Sequence, residues 1–296
     1  MTYFLQQLLN GFQLGSVYAL ISLGYTMVYG IIRLINFAHG DIFMLGAYFG
    51  FYLLTRLKLN FLLALLFSMI LCAVINIIIE KLAYAPLRKR NVPRINLLIT
   101  AIGVSFFLEN FTSLKIIFGP DYQPYPRPFK ITTFNLGDLT ISSLQIIVFL
   151  ITLFLLLLLE YITKKTKIGL AMRAVAYDKE TASLMGINVD NIISLTFAIG
   201  AALAGAGGVL YGICYPQIHP FMGVMPGLKA FVAAVLGGIG LISGAVLGSF
   251  IIGIVEVFTA AFISSTFRDA IAFAILIIVL LTRPQGLLGK EEGLKL

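Results

Sequence analysis

Few side chains in this sequence can do bond chemistry. The tightest group is Arg33, Asn36, His39 and Asp41, with Gly40 beside them, inside the apolar stretch IIRLINFAHGDIFMLGAY (31–48). An imidazole two residues from a carboxylate can move a proton or begin a metal site. Neither chemistry finds its remaining members. His219, the second of two histidines, lies far along the chain, and no HExxH or other metal-ligand spacing occurs. No GxSxG is present to mark a serine nucleophile. The glycine clusters GAGGVLYG (205–212) and LGGIGLISG (236–244) fit neither GxGxxG after a strand nor a P-loop ending in Lys-Ser or Lys-Thr. Cys72 and Cys214 lie in or beside apolar runs and form no CxxC pair. No catalytic residue, metal ligand or cofactor is therefore assigned to this chain.

The other ionisable residues at depth in apolar runs are Glu109 beside Asn110, Glu256, and the edge pair Arg268–Asp269. Charges in such positions are costly and are functional candidates by default. Glu109 and Glu256 fall towards the outer half of their runs, within reach of water or a helix neighbour. A cation-driven carrier is expected to hold more buried acids than these.

The elements that must position these groups are set by composition. Apolar residues make up 59% of the chain and charged residues 11%, against about 25% charged in soluble domains. Runs such as 61–79, 143–159, 192–213 and 245–263 carry few charges or none, and each has about the length an α-helix needs to cross a bilayer. None alternates as a β-barrel strand would. The expected fold is an all-α, polytopic transmembrane bundle forming one domain over 1–296. Eight or nine spans are expected, at about 8–30, 41–57, 61–80, 95–114, 143–161, 192–213, 228–242, 245–263 and 268–283. The seventh is short and ends in LGGIGLISG, so it can also be read as broken or re-entrant. No cleavable signal is expected.

The net charge of +8 reads as topology, not as affinity for nucleic acid. Lys81, Arg88, Lys89, Arg90 and Arg94 face only Glu80 in one short basic segment. Lys164, Lys165, Lys167 and Arg173 form a second, in a loop at about 163–190. The positive-inside rule makes both cytoplasmic. The Pro-rich loop at about 115–141, with Pro120, Pro124, Pro126 and Pro128, is then outside. With Lys290 and Lys295 in a cytoplasmic tail, nine crossings place the N-terminus outside.

Small residues recur at helical contact spacing: Gly11, Gly15 and Ala19; Gly46 and Gly50; Gly200, Ala204, Gly208 and Gly212; Gly240, Gly244 and Gly248. Such faces let helix backbones approach where lipid gives no hydrophobic drive for association. They read as a compact bundle, or as one face lining a narrow path.

AYDKETASLMGI (176–187) lies in the second basic loop. Asp178 is a good N-cap, Glu180 falls in the first turn where the helix dipole favours an acid, and Gly186 suits the C′ position. A helix of about seven residues follows, roughly 10 Å long, carrying Leu184 and Met185 as an apolar corner. It either lies on the bilayer or docks into another protein.

Glu180-Thr181-Ala182, then three residues, then Gly186, is similar to the EAA-x3-G loop of ABC importer permeases. Thr181 replaces the middle alanine, and the later Ile-x-Leu-Pro element is absent. Beyond this loop, GSVYALISLGYTMVYGIIRLINFAHGDIFMLGAY (15–48), INLLITAIGVSFFLEN (95–110), KAFVAAVLGGIGLISGAVLG (229–248) and RPQGLLG (283–289) resemble the LivH-type branched-chain amino acid permeases nearly end to end. The resemblance implies one of two permease subunits in an importer of the bacterial inner (cytoplasmic) membrane. Implied partners are a LivM-type permease, two cytoplasmic LivG/LivF-type ATPases that carry ATP and Mg, and a periplasmic amino-acid-binding protein. It also implies that Asp178, Glu180, Thr181, Ala182, Leu184, Met185 and Gly186 form the coupling helix to the ATPases. Branched-chain amino acids are the expected solutes. Urea or amides are the alternative within the family, and an ion-coupled secondary transporter the alternative outside it.

Two readings remain for Asn36, His39, Gly40 and Asp41. One is a cytoplasmic turn with Gly40 as its flexible point, Asp41 capping a helix from Ile42, and Arg33 as an interfacial anchor. The other is a break in a discontinuous helix facing the transport path.

Overall fold

A computed structural model describes residues 2–90 and 92–289 of the chain; Lys290 and Lys295 lie outside the described residues. In chain order the elements begin with α1 (Thr2–Ile32), α2 (His39–Thr55) and α3 (Phe61–Ile79). A π turn (Glu80–Tyr84) then carries α3 into α4 (Ala85–Lys89), and α5 (Arg94–Ser113) follows. The loop beyond holds β1 (Gln123–Pro124), β2 (Thr133–Leu136) and β3 (Leu139–Ser142). Next come α6 (Ser143–Lys165), α7 (Lys167–Tyr177), α8 (Lys179–Leu184) and α9 (Val189–Cys214). The last elements are β4 (Gln217–Ile218), α10 (Val224–Gly237), α11 (Ile242–Phe262) and α12 (Arg268–Thr282). The short strands pair antiparallel, β1 with β4 and β2 with β3. The molecule is an all-α helical bundle, and its helix starts follow local capping chemistry. Asn60 caps α3 through the Leu63 N–H, and Ser142 with Gln145 forms a capping box on α6.

Among the described residues, seven helices are long and apolar enough to cross a membrane. Two of the nine expected spans are shorter: α2 has 17 residues and α10 has 14. The expected span 228–242 is also displaced. Its helix is Val224–Gly237, and the glycines after it form a turn, with Gly238 at φ 108° and Gly240 at φ 96°. Gly240 therefore leaves the expected small face, because a left-handed backbone ends a helix. Gly244 and Gly248 remain on α11 and meet the backbones of Gly237 and Ala233 on α10.

The buried centre is α1 packed on α11, and α9 packed on α2 and α3. Glycine permits the closest of these approaches. Gly200 of α9 meets Gly24 of α1, Gly46 of α2 meets Gly205, and Gly212 faces the ring of Tyr125, while Ala204 is buried. A Cβ on Gly208 would fall on the Phe43 carbonyl and 2.7 Å from the Ala47 nitrogen. Gly208→Ala should therefore cost about 1–3 kcal/mol by overpacking, seen as a lower melting temperature in detergent. Gly103→Ala, with nothing within 4 Å of its Cβ, should be neutral or better.

Polar side chains complete the interhelical seams by bonding to backbone carbonyls. Ser68 donates to Gly46 O at 2.8 Å, and Asn76 donates to Phe197 O at 2.9 Å. Such bonds matter where no water competes. At one end of the bundle Gln6 exchanges two hydrogen bonds with the backbone of Thr140, so α1 starts on the same side as the Pro-rich loop.

Candidate functional site

The polar cluster of the first loop lies inside the bundle. Arg33 ends α1 with a left-handed backbone (φ 55°) and is exposed. The chain then turns back along α1 before helix resumes. His39, the first residue of α2, sits against Gly24 and edge-on to Tyr25 at 4.8 Å between ring centres. Gly24 precedes the end of α1 by eight residues, about 12 Å of helix at 1.5 Å per residue. The break between α1 and α2 is thus buried well above the end of α1, with Asn36, His39, Gly40 and Asp41 all enclosed. Broken backbone at such depth is tolerated where protein or water surrounds it.

Two expectations for this cluster are corrected. The helix begins at His39, not Ile42, and its N-cap is Ala38 without a side-chain cap. Asp41 does not cap; its Oδ2 accepts from the Ser105 hydroxyl of α5 at 2.5 Å. Gly40 is not a flexible point. It has no positive φ and is a contact: a Cβ there would lie 2.5 Å from the Gly223 oxygen and 3.3 Å from Gly227 Cα. The N-termini of α2 and α10 lie side by side; that of α2 is buried, while Val224 and Met225 at the start of α10 are partly exposed. Between them and α5 lies a cavity of about 90 Å³ lined by Tyr25, Asp41, Ser105, Glu109, Gly223 and Gly227, among others.

The loop between α6 and α9 is built on a different principle. In α8, Asp178 accepts from the Thr181 N–H at 2.6 Å, a bond that holds its carboxyl below the ordinary aspartate value. That cap is fully present above the ordinary pKa and is lost as pH falls through the lowered one. At the other end Gly186 takes φ 82°, and the Ile187 N–H returns to the Ala182 carbonyl at 3.1 Å. Ala182 is buried against the rest of the loop, while Glu180 and Thr181 are exposed. Leu184 and Met185 are 86% and 78% exposed. Two large apolar side chains on a short, well-capped helix form a rigid knob.

A polar network, buried at Glu80 and open to the surface at Asp190, links this loop to the break. Glu80, in the π turn below α3, is enclosed and accepts from Arg88 at 2.6 Å and from Ser194 at 2.6 Å. Arg88 also binds Asp190, in the first turn of α9, at 2.7 Å. Tyr84, in the same π turn, donates to Asn36 Oδ1 at 2.8 Å. π turns recur at functional sites.

Of the two readings of Glu256, the helix neighbour holds, but the sequence did not identify its partners: Lys229 of α10 lies 2.7 Å from it and 2.7 Å from Asp269, and the Tyr18 hydroxyl donates to Glu256 at 2.8 Å. A lone lysine in the run LKAFVAAVLG, in a chain with few buried acids, was the available signal. Tyr84 and Ser105 carried none, since neither residue type nor spacing marks them. His219 stands apart from the break, beside Tyr122 in the loop before α10, and partial burial lowers its pKa.

Compared with known proteins, residues 7–280 match the family described as branched-chain amino acid transport system / permease component. The chain is 43% identical to the high-affinity branched-chain amino acid transport system permease protein LivH of Escherichia coli K12, covering 98% of this chain and 97% of that protein. It is 44% identical to the BraD permease protein of Pseudomonas aeruginosa, over the same shares of each. Among solved structures it is similar to PsaBC from Streptococcus pneumoniae in complex with Fab, with a TM-score of 0.50 at 14% identity, covering 96% of this chain and 93% of that one.

Proposed function

The chain belongs to the permease family of branched-chain amino acid transport systems, and we propose that it is one of two permease subunits of an ATP-driven importer in the bacterial inner membrane. It is a multi-pass membrane protein that moves branched-chain amino acids. The observation that carries this reading is similarity over nearly the whole of both chains to LivH and BraD. The partners are a second, LivM-type permease, two cytoplasmic ATPases that hold ATP and Mg, and a periplasmic binding protein that delivers the solute.

In this mechanism the chain does no chemistry of its own. The knob of Leu184 and Met185 sits in an apolar groove of an ATPase subunit. Closure of the ATPase pair on ATP moves α8 and with it the start of α9. Asp190 and Ser194 pull on Arg88 and Glu80 through charge-assisted bonds, which resist extension more than neutral ones. The π turn passes the movement to Asn36 through Tyr84. The break at 33–38 then shifts relative to α10 and switches the path between outward and inward access.

The substrate assignment is tested on the binding protein and the assembled importer together. Leucine, isoleucine or valine should bind the delivery protein and be accumulated, while urea should do neither. Affinity for amides without affinity for amino acids would overturn the assignment.

A further inference from the structure

Among the described residues four carboxylates are buried, and they divide into two kinds. Glu80 faces Arg88, and Glu256 faces Lys229. Asp41 and Glu109 line one cavity of about 90 Å³ and have no cationic partner among the described residues. Asp41 is partly explained, being in the first turn of α2, where the helix dipole favours an acid, and bonded to Ser105. Glu109 is not. It lies one turn beyond Ser105 on α5, is 7% exposed, and its carboxylate has neither hydrogen bond nor ion pair among the described residues. A carboxylate within a membrane-spanning helix is a functional candidate by default, and this one opens onto the cavity with no partner of its own among the described residues, so this wall of the cavity is open to a visiting group. The chemistry of the walls names that group. Two carboxylates and the ring of Tyr25 suit a cation. The N-termini of α2 and α10, both of which start at this cavity, suit an anion beside it.

We infer that this cavity is a waypoint for the charged end of an α-amino acid, with the ammonium held between Asp41 and Glu109 and the carboxylate turned to the two helix starts. The cavity takes the head group only, so the site orients a solute in transit. Because both acids hold the ammonium only while the path is enclosed, release follows when the break and α10 separate.

The inference rests on the importer reading, and the test separates the two. The complete importer is reconstituted in proteoliposomes, and leucine uptake is measured beside ATP hydrolysis stimulated by loaded binding protein. Wild-type uptake driven by ATP checks the importer reading by itself. Glu109→Gln keeps the shape and removes the charge. It should lower leucine uptake about tenfold or more, the equivalent of one charge-assisted bond, while stimulated ATP hydrolysis stays within about twofold of wild type. Glu109→Asp should recover part of the uptake. Asp41→Asn is read in the same way. Wild-type leucine uptake in Glu109→Gln would overturn the waypoint and leave the importer standing. Loss of assembly in both Glu109→Gln and Asp41→Asn would assign the acids to the fold and overturn it as well.

Discussion

Lys229→Met should be among the most destabilising single substitutions in this bundle. Lys229 is 6% exposed and Glu256 5% exposed, so removing the ammonium leaves a buried carboxylate with only the Tyr18 hydroxyl as partner. Breaking a buried pair from one side costs about 3–5 kcal/mol. At a few degrees per kcal/mol, the melting temperature in detergent should fall by about 10 °C, and the yield from membranes should fall with it. Lys229→Met with Glu256→Met should recover most of the loss, because an apolar pair of similar volume needs no compensation. The position makes the effect large: Lys229 on α10, Glu256 on α11, Asp269 on α12 and Tyr18 on α1 are tied by this one cluster. A double variant as unstable as the single one would show that volume, not charge, is what the site needs.

Leu184→Asp should abolish the association with the ATPases without disturbing the fold. Leu184 is 86% exposed, so the bundle does not depend on it. Docked in an apolar groove, an aspartate is an unpaired buried charge worth several kcal/mol, enough to weaken association by about a thousandfold or more at 1.4 kcal/mol per tenfold. Gly186→Pro should act at the same joint by another route. Its φ of 82° is closed to proline, and the N–H it gives to the Ser183 carbonyl would be lost. Tyr122→Asp, in the Pro-rich loop, is the control and should keep its ATPases. Co-purification from solubilised membranes reads all three. Retention of the ATPases by Leu184→Asp at wild-type stoichiometry would place the coupling surface elsewhere.

The parts of this structure legible in the sequence were those decided locally. Apolar runs free of charge have little choice but helix in a bilayer. The caps of α8, Asp178 and Gly186, are read within a single turn. The depth of the break was not legible, because Asn-Phe-Ala-His-Gly-Asp makes an equally good turn at an interface or at mid-bundle. Its depth is set by Gly24, Gly40, Gly223 and Gly227, which are scattered along the chain and meet only in the fold. The same holds for the end of α10. Glycines in LGGIGLISG serve a helix face or a turn equally well, and only the positive φ at Gly238 and Gly240 decides. Charge pairs were the least visible. Lys229 and Glu256 sit on separate helices, and Arg88 finds Asp190 across the whole of the Pro-rich loop and α5–α8.

The central claim is that ATP hydrolysed by partner subunits, not an ion gradient, drives this permease. Its most direct test is labelled leucine uptake into proteoliposomes holding the chain with its second permease and ATPases. Loaded binding protein is supplied on one side and ATP on the other. Uptake should require ATP, binding protein and every subunit, and should persist when proton and sodium gradients are collapsed. The purified chain alone, accumulating leucine on an imposed ion gradient without ATP, would contradict the account.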